Sequence, residues 1–453
     1  MSLAEGSLLK RLTRVLREEG VVGAARRIHA RALRAWHEAL WKLRLTLAPP
    51  PPGRLLAISP VPTESPADDK PDELVLAGLT ARNLVRAERE EAVRLGRDRF
   101  AGPSVLFVLP VATPGGGANV VIDEARAMRR MGIAVSLFNL TRHERPFRIA
   151  YPDLDLPIRF GDERDVPTIA RACDAVVATL NTSVAWLEGI QVAGSRPVLG
   201  YYVQEFEPYM YPDGSRERSE ALASYTRLPG MIRFAKTRWT ASEVKEQAGV
   251  PCAEVGVSLN IDLFRPRPRP REEAGCPLRI AAMIRPASSY RQPLLTMRVL
   301  KEVARRFGPR VEIVLFGTEL ADPGFASLPR GFPWRLAGVL TQRQVARLMS
   351  EADLFLDLSS HQAMGLTALE AMASGAAVAV PLRGGAVSYA RDGENALLVD
   401  TSDFDACLGA ASRLVQDGVL RRRLQERAVR DVCAFHPEGP ALRILGCLFP
   451  AGA

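Results

Sequence analysis

The stretch Gln362-Ala-Met-Gly-Leu-Thr-Ala-Leu-Glu370-Ala-Met-Ala-Ser-Gly375 sets a glycine turn against the start of an apolar helix, with Glu370 one turn inside. A helix start carries unpaired N–H groups and the positive end of the helix dipole, both of which suit an anion. The anion this arrangement predicts is a diphosphate. Outward from it, continuous apolar runs at 279–284, 311–316, 334–339, 353–358 and 376–381 read as strands, with helical patterns between most of them. Such runs imply a parallel sheet covered on both faces.

A second series precedes this one. Val105-Leu-Phe-Val-Leu109 reads as a strand, followed by Gly115-Gly-Gly117 and a helical pattern from Asn119 to Gly132. Strands at 133–140, 174–180 and 197–203 follow, with a helix at 166–173. Pro266-Arg-Pro-Arg-Pro270 reads as the hinge between two doubly wound α/β units. In open parallel sheets ligands lie beyond the carboxyl ends of the strands, so the loops after Leu109, Val203, Ile284, Phe316 and Leu358 are predicted to face one cleft. The chain divides into a basic helical extension (1–48), a Pro-rich linker (49–78), a first unit (79–265), a second unit (272–430) and a tail (431–453) that crosses back to the first.

At 453 residues the chain can bury a core in each unit. No segment offers eighteen apolar residues without a charge, and Lys10, Arg11, Arg14 and Arg17 interrupt any signal-peptide core. Six cysteines lack C-x-x-C pairing or ligand-like spacing with histidine, which predicts a reduced, cytoplasmic, metal-free protein. The formal charge of +9 is concentrated early: residues 1–48 hold ten Lys and Arg against four Glu. Leu8, Leu9, Leu12, Val15 and Leu16, then Leu33, Trp36, Leu40 and Trp41, fall at helical spacing among these charges. That pattern suits either a helical cap on the protein itself or helices on an anionic lipid surface at the inner face of a membrane. No stacking or base-reading motif accompanies the arginines, which argues against nucleic acid.

The stretch around Glu370, together with Arg383-Gly-Gly385 and Asp392-Gly-Glu-Asn-Ala-Leu-Leu-Val-Asp400, closely resembles the nucleotide-sugar half of family 4 type (GT-B) glycosyltransferases. The resemblance covers roughly residues 103–430 and implies two facing Rossmann-like domains. It also implies transfer of a sugar from a nucleotide-diphosphate donor to a hydroxyl, with retained configuration and no cofactor or metal. In that family two glutamates stand eight positions apart; here the second is Glu370, expected to accept the ribose hydroxyls, and the first is replaced by Gln362. Gln362 keeps hydrogen-bonding reach without the charge, so it cannot form a covalent intermediate. The resemblance assigns Arg285 and Arg291 to the departing diphosphate. It gives the amides of Met364, Gly365 and Leu366 to the phosphate turn, and Gly317 to the base pocket with Gly338. His361 is a candidate donor to phosphate or sugar. Pro114-Gly-Gly-Gly-Ala-Asn119 resembles the family's glycine loop under a helix start, with Gly116 and Gly117 at the donor.

Tyr201-Tyr-Val-Gln-Glu205-Phe-Glu207-Pro resembles a segment of a narrower group, the bacterial rhamnosyltransferases of rhamnan and surface-polysaccharide synthesis. It implies contact with a glycan or lipid-linked glycan acceptor, with Glu205 or Glu207 as the base that takes the acceptor's proton. A buried corner held by tyrosine hydroxyls accounts for the same residues. Two other functions compete with transfer. A noncatalytic sugar-nucleotide binding protein is compatible with Gln362. A nicotinamide-dependent oxidoreductase is disfavoured, because Gly115-x-Gly117-x-x-Val120 lacks the third glycine and the next strand ends in Phe138-Asn-Leu-Thr141 without a carboxylate.

Overall fold

Seven parallel strands make each of two sheets. The first sheet holds β2 (Ser104–Val108), β3 (Ala134–Leu140), β4 (Ile158–Gly161), β5 (Ala175–Ala178), β6 (Val198–Val203), β7 (Ile232–Ala235) and β8 (Ala253–Glu254), in the spatial order β4-β3-β2-β5-β6-β7-β8. The second holds β1 (Gly53–Leu55), β9 (Leu278–Met283), β10 (Val311–Phe316), β11 (Trp334–Leu336), β12 (Leu354–Leu356), β13 (Ala377–Pro381) and β14 (Leu397–Val399), in the order β1-β11-β10-β9-β12-β13-β14. The computed structural model describes residues 53–55, 73–100, 102–190, 197–268 and 276–450. The basic extension at 1–48 lies outside the described residues.

Side-chain alternation along the strands explains the layers. In β2, Val105 and Phe107 join one core with Leu109, while Leu106 and Val108 join the core on the opposite face. In β9, Ile280 and Ala282 go one way and Ala281 the other. Both faces of both sheets are covered, as continuous apolar strands require. We call the two sheets with their helices the first and second lobes.

The chain does not keep its two halves in separate lobes. Strand β1 pairs with β11 of the second lobe, and the helix Glu73–Leu84 packs on the helix Gly418–Asp431. β1 and the start of that helix fall inside 49–78, the stretch read as linker, which therefore contains ordered elements. The next helix, Arg86–Phe100, packs against Gly116–Arg130 and the C-terminal helix Glu438–Leu448. That last helix also lies against β7, in the first lobe.

One buried carboxylate ties this return crossing. Glu438, fully buried, accepts from Arg89 Nε at 3.1 Å and Nη2 at 2.9 Å, contacts Arg130, and meets His436 Nδ1 at 3.0 Å. Arg89 also donates two hydrogen bonds to Asp262, at 3.0 and 2.7 Å. Burial alone would push the Glu438 carboxyl up, but His436, Arg89 and Arg130 outweigh it and hold the group well below the usual carboxylate range.

Candidate active site

The second lobe carries the glycine turn at the start of the helix Leu366–Ala373. Gly365 precedes it at φ +75°, a left-handed backbone that glycine adopts without penalty, and a Cβ there would lie 2.7 Å from the Tyr389 hydroxyl. Tyr389 in turn donates to the Gly365 carbonyl at 2.9 Å, which holds the turn in place. Among the described residues no acceptor takes the amides of Met364, Gly365 or Leu366. The Met364 side chain is core, so only its amide is available. Glu370 is 3% exposed and its carboxylate has no hydrogen-bond partner among the described residues. Burial, then the like charge of Asp123 across the cleft, raises it well above the usual range; donors such as ribose hydroxyls would favour the ionised form.

Arg285 and Arg291 follow β9 and stand close enough to repel each other. Neither has a carboxylate within salt-bridge distance among the described residues, and Arg285 Nε is buried without a partner. Arg291 lies 5.5 Å from the Tyr290 ring centroid and donates to the Met283 sulfur at 3.7 Å. Two adjacent, half-buried cations without a salt-bridged carboxylate would gain from a bound anion, although Asp357 and Glu205 act on Arg291 at longer range. Beside them, the Gly317 amide donates to the Gly338 carbonyl at 2.8 Å, and Val339 N donates to Glu319 at 3.2 Å. The ends of β10 and β11 are thereby joined into one loop pair.

The lobes meet directly. Gly116 and Gly117 open the helix Gly116–Arg130; a Cβ on Gly116 would lie 3.2 Å from Leu366, and one on Gly117 3.2 Å from Gln204. Glu205, after β6, accepts from the Ala363 amide at 3.4 Å, and Thr237 Oγ1 donates to the Ala363 carbonyl at 2.7 Å. Burial pushes the Glu205 carboxyl up to about 7 against the opposing pull of Arg291, the Ala363 and Phe206 amides and Lys236. His361 is packed among Tyr290, Tyr209 and Trp239, with ring centroids 5.3, 5.4 and 5.7 Å away. Burial and the charges of Arg383 and Arg291 lower it to about 4, so it is neutral, with Nδ1 3.0 Å from Ser360 Oγ and Nε2 unpartnered. Gln362 is buried, and its side-chain amide donates to Ser359 at 2.8 Å and Asp357 at 3.4 Å.

The structure places Glu207 in a buried corner. Its carboxylate is 1% exposed, accepts from the Asn181 amide at 2.6 Å and from the Tyr201 hydroxyl, and sits under Tyr225. Burial pushes it up to about 8. It braces the corner after β6. Sequence reasoning also missed Lys236 and Thr237, which follow β7; that strand's four residues, interrupted by Arg233, are too short to register as an apolar run.

A cavity of about 470 Å³ beside the cleft, lined by Asn119, Arg126, Tyr151, Asn260 and Gln342 among others, contains none of the residues singled out from sequence.

Residues 335–431 match the model of the family described as Glycosyl transferases group 1. Solved structures superpose on most of the chain: HepE of Anabaena in complex with UDP and glucose gives a TM-score of 0.61 at 15% identity, covering 76% of this chain and 98% of that one. The fold is GT-B. A second GT-B-like neighbour, sucrose-phosphate synthase from Thermosynechococcus elongatus, gives 0.59 at 16% identity over 76% of this chain and 97% of its own. By sequence the chain is 29% identical over 288 residues to the O-antigen biosynthesis protein RfbC of Myxococcus xanthus, covering 62% of this chain and 21% of that protein. It is 38% identical over 79 residues to the lipopolysaccharide core biosynthesis glycosyltransferase LpsE of Rhizobium meliloti, covering 17% and 23% respectively. The chain thus spans less than a quarter of the length of these curated relatives. Among the described residues no helix is long and apolar enough to cross a membrane.

The GT-B frame makes one contact testable. A Cβ at Gly385 would fall on the Ala363 carbonyl oxygen and 2.8 Å from Thr237 Oγ1, where the lobes touch. Gly385→Ala is expected to cost about 1–3 kcal/mol, seen as a lower melting temperature. An unchanged melt would show that the 363 and 385 loops can move apart freely.

Proposed function

We propose that this protein moves a sugar, with rhamnose the leading candidate, from a nucleotide-diphosphate donor to a hydroxyl of a growing surface glycan or lipid-linked glycan. The observation that carries this reading is the pair Arg285 and Arg291, without carboxylate partners among the described residues, near unclaimed amides at a helix start. Relatives named for O-antigen and lipopolysaccharide core biosynthesis, and a GT-B neighbour solved with UDP and glucose, support it. The diphosphate would lie on the arginines and the Met364–Leu366 amides, with the ribose on Glu370. No metal is needed, since those groups neutralise the charge that develops on the leaving group. Attack on the face from which the diphosphate departs retains configuration. Glu205 receives the acceptor's proton, and catalysis takes place at the cytoplasmic face of the membrane.

A thermal-shift screen with nucleotide diphosphates tests the donor site, because a ligand at a hundred times its Kd stabilises by about 2.7 kcal/mol. Glu370→Ala or Arg285→Ala should each abolish the shift. A shift retained in both variants removes this assignment of the cleft. Because Glu205 ionises near pH 7, the transfer rate should rise as pH passes through about 7. A rate flat from pH 5 to 8 would exclude Glu205 as base.

One observation favours a second reading, a noncatalytic sugar-nucleotide binding protein: the uncharged Gln362 is tied back to Ser359 and Asp357. Nucleotide release that depends on added acceptor separates an enzyme from a binder.

A further inference from the structure

We propose that Tyr209, Trp239, Tyr290 and His361 form an aromatic platform that docks a pyranose ring of the acceptor glycan, an assignment that rests on the transferase reading above. Tyr209 and Trp239 belong to the first lobe, Tyr290 and His361 to the second. Tyr290 stacks on the His361 imidazole with centroids 5.3 Å apart and planes at 26°. Tyr209 stands nearly perpendicular to that imidazole at 5.4 Å, and Trp239 lies tilted at 5.7 Å. Tyr209 and Trp239 are themselves 6.4 Å apart. The backbone sets up this meeting: the short helix Glu207–Met210 packs against the short helix Ser289–Arg291 of the other lobe, and the turn Gly385–Ser388 packs on the helix Arg238–Ala248.

Burial separates these rings from ordinary core. Behind them Tyr201, Tyr225 and Phe206 also stack, with Tyr225 5.4 Å from Tyr201 and 5.7 Å from Phe206, yet all three are fully buried. Tyr209, Trp239 and Tyr290 keep part of their surface in solvent, and Met210 beside Tyr209 is 42% exposed. On the second lobe Leu382 and Val387 are exposed as well, and so is Arg383, whose charge acts on both His361 and Tyr209.

The chemistry of the platform selects its occupant. Aromatic faces take the apolar C–H face of a sugar ring, while polar groups at their edge hold its hydroxyls. His361 supplies such a group, since its ring is neutral and its Nε2 is buried without a partner. The platform is also continuous with the candidate site: two residues beyond His361, the Ala363 amide donates to Glu205, the proposed base, at 3.4 Å. A part-exposed rim suits a growing chain, which has to run out into solvent. The donor is compact, and its diphosphate is assigned to Arg285 and Arg291.

The test reads binding and turnover separately on the full chain. In protein carrying fluorotryptophan, the Trp239 fluorine NMR signal is the one lost in Trp239→Phe. Trisaccharides of rhamnose, mannose and glucose are the probes. At least one should move the Trp239 signal saturably while Trp186 and Trp334 stay in place, and a nucleoside diphosphate alone should not move it. With that trisaccharide as acceptor at saturating donor, Trp239→Leu should raise the acceptor KM about three- to tenfold, leave the donor KM unchanged, and be rescued by Trp239→Phe. Should Trp239→Leu fail to fold, Tyr209→Leu with Tyr209→Phe serves in its place. A Trp239 signal that no trisaccharide moves overturns the proposal. So does a signal moved by nucleoside diphosphate, or a rise confined to the donor KM, either of which would make the rings part of the donor site. If a trisaccharide binds at Trp239 but the wild-type chain transfers no sugar to it or to any other acceptor, the transferase reading fails while the sugar platform stands.

Discussion

Arg291→Ala is expected to lower the rate of sugar transfer by about 10²–10³-fold, roughly 3–4 kcal/mol at the transition state, with the folded protein intact. The two effects separate because Arg291 makes no ion pair among the described residues; its contacts are the Tyr290 ring and the Met283 sulfur. On the proposed donor reading, its largest electrostatic effect comes when a leaving diphosphate gathers charge between it and Arg285. Arg291→Lys keeps the charge but loses the planar fork, so recovery should be partial. The measurement is kcat beside the melting temperature for both variants. A wild-type kcat in Arg291→Ala would place the leaving group elsewhere.

Glu438→Ala should produce the largest loss of stability of any single carboxylate change proposed for this chain. Removing it strands Arg130 and leaves Arg89 with Asp262 alone. Breaking a buried ion network costs about 3–5 kcal/mol, equivalent to a melting temperature lower by roughly 3–6 °C in a chain of this size. The pH dependence has a definite sign. The Glu438 carboxyl is depressed in the folded state, so its stabilisation is fully present above the unfolded value of about 4 and is lost as pH falls below it. The gap between wild type and variant should therefore narrow in acid. A gap that is constant down to pH 2 would mean the charge is not what holds the C-terminal helix.

The sheets were legible in the sequence where strands are long and buried on both faces. The runs at 105–109, 133–140, 279–284 and 311–316 correspond to β2, β3, β9 and β10 within a residue or so. Edge strands were not legible. β8 is two exposed residues and β4 four partly exposed ones, too short for periodicity to speak. The helix Glu73–Leu84 was hidden by the prolines before it, and its apolar side makes sense only against the distant helix Gly418–Asp431. At the site, the glycine turn before Leu366 and the two arginines carry their chemistry in local spacing. Glu205 and Glu207 do not: two positions apart in one motif, they differ only in what the fold puts over them, the Ala363 amide in one case and Tyr201 with Tyr225 in the other.

The exchange of elements between lobes has a consequence for how the molecule can be taken apart. Strand β1 and the helix Glu73–Leu84 complete the second lobe from the N-terminal side, and the helix Glu438–Leu448 completes the first from the C-terminal side. A cut near residue 270 would thus yield two fragments, each missing a piece of its own core and carrying a piece of the other's. Expressed singly, each should aggregate; produced together, they should reassemble as a split protein.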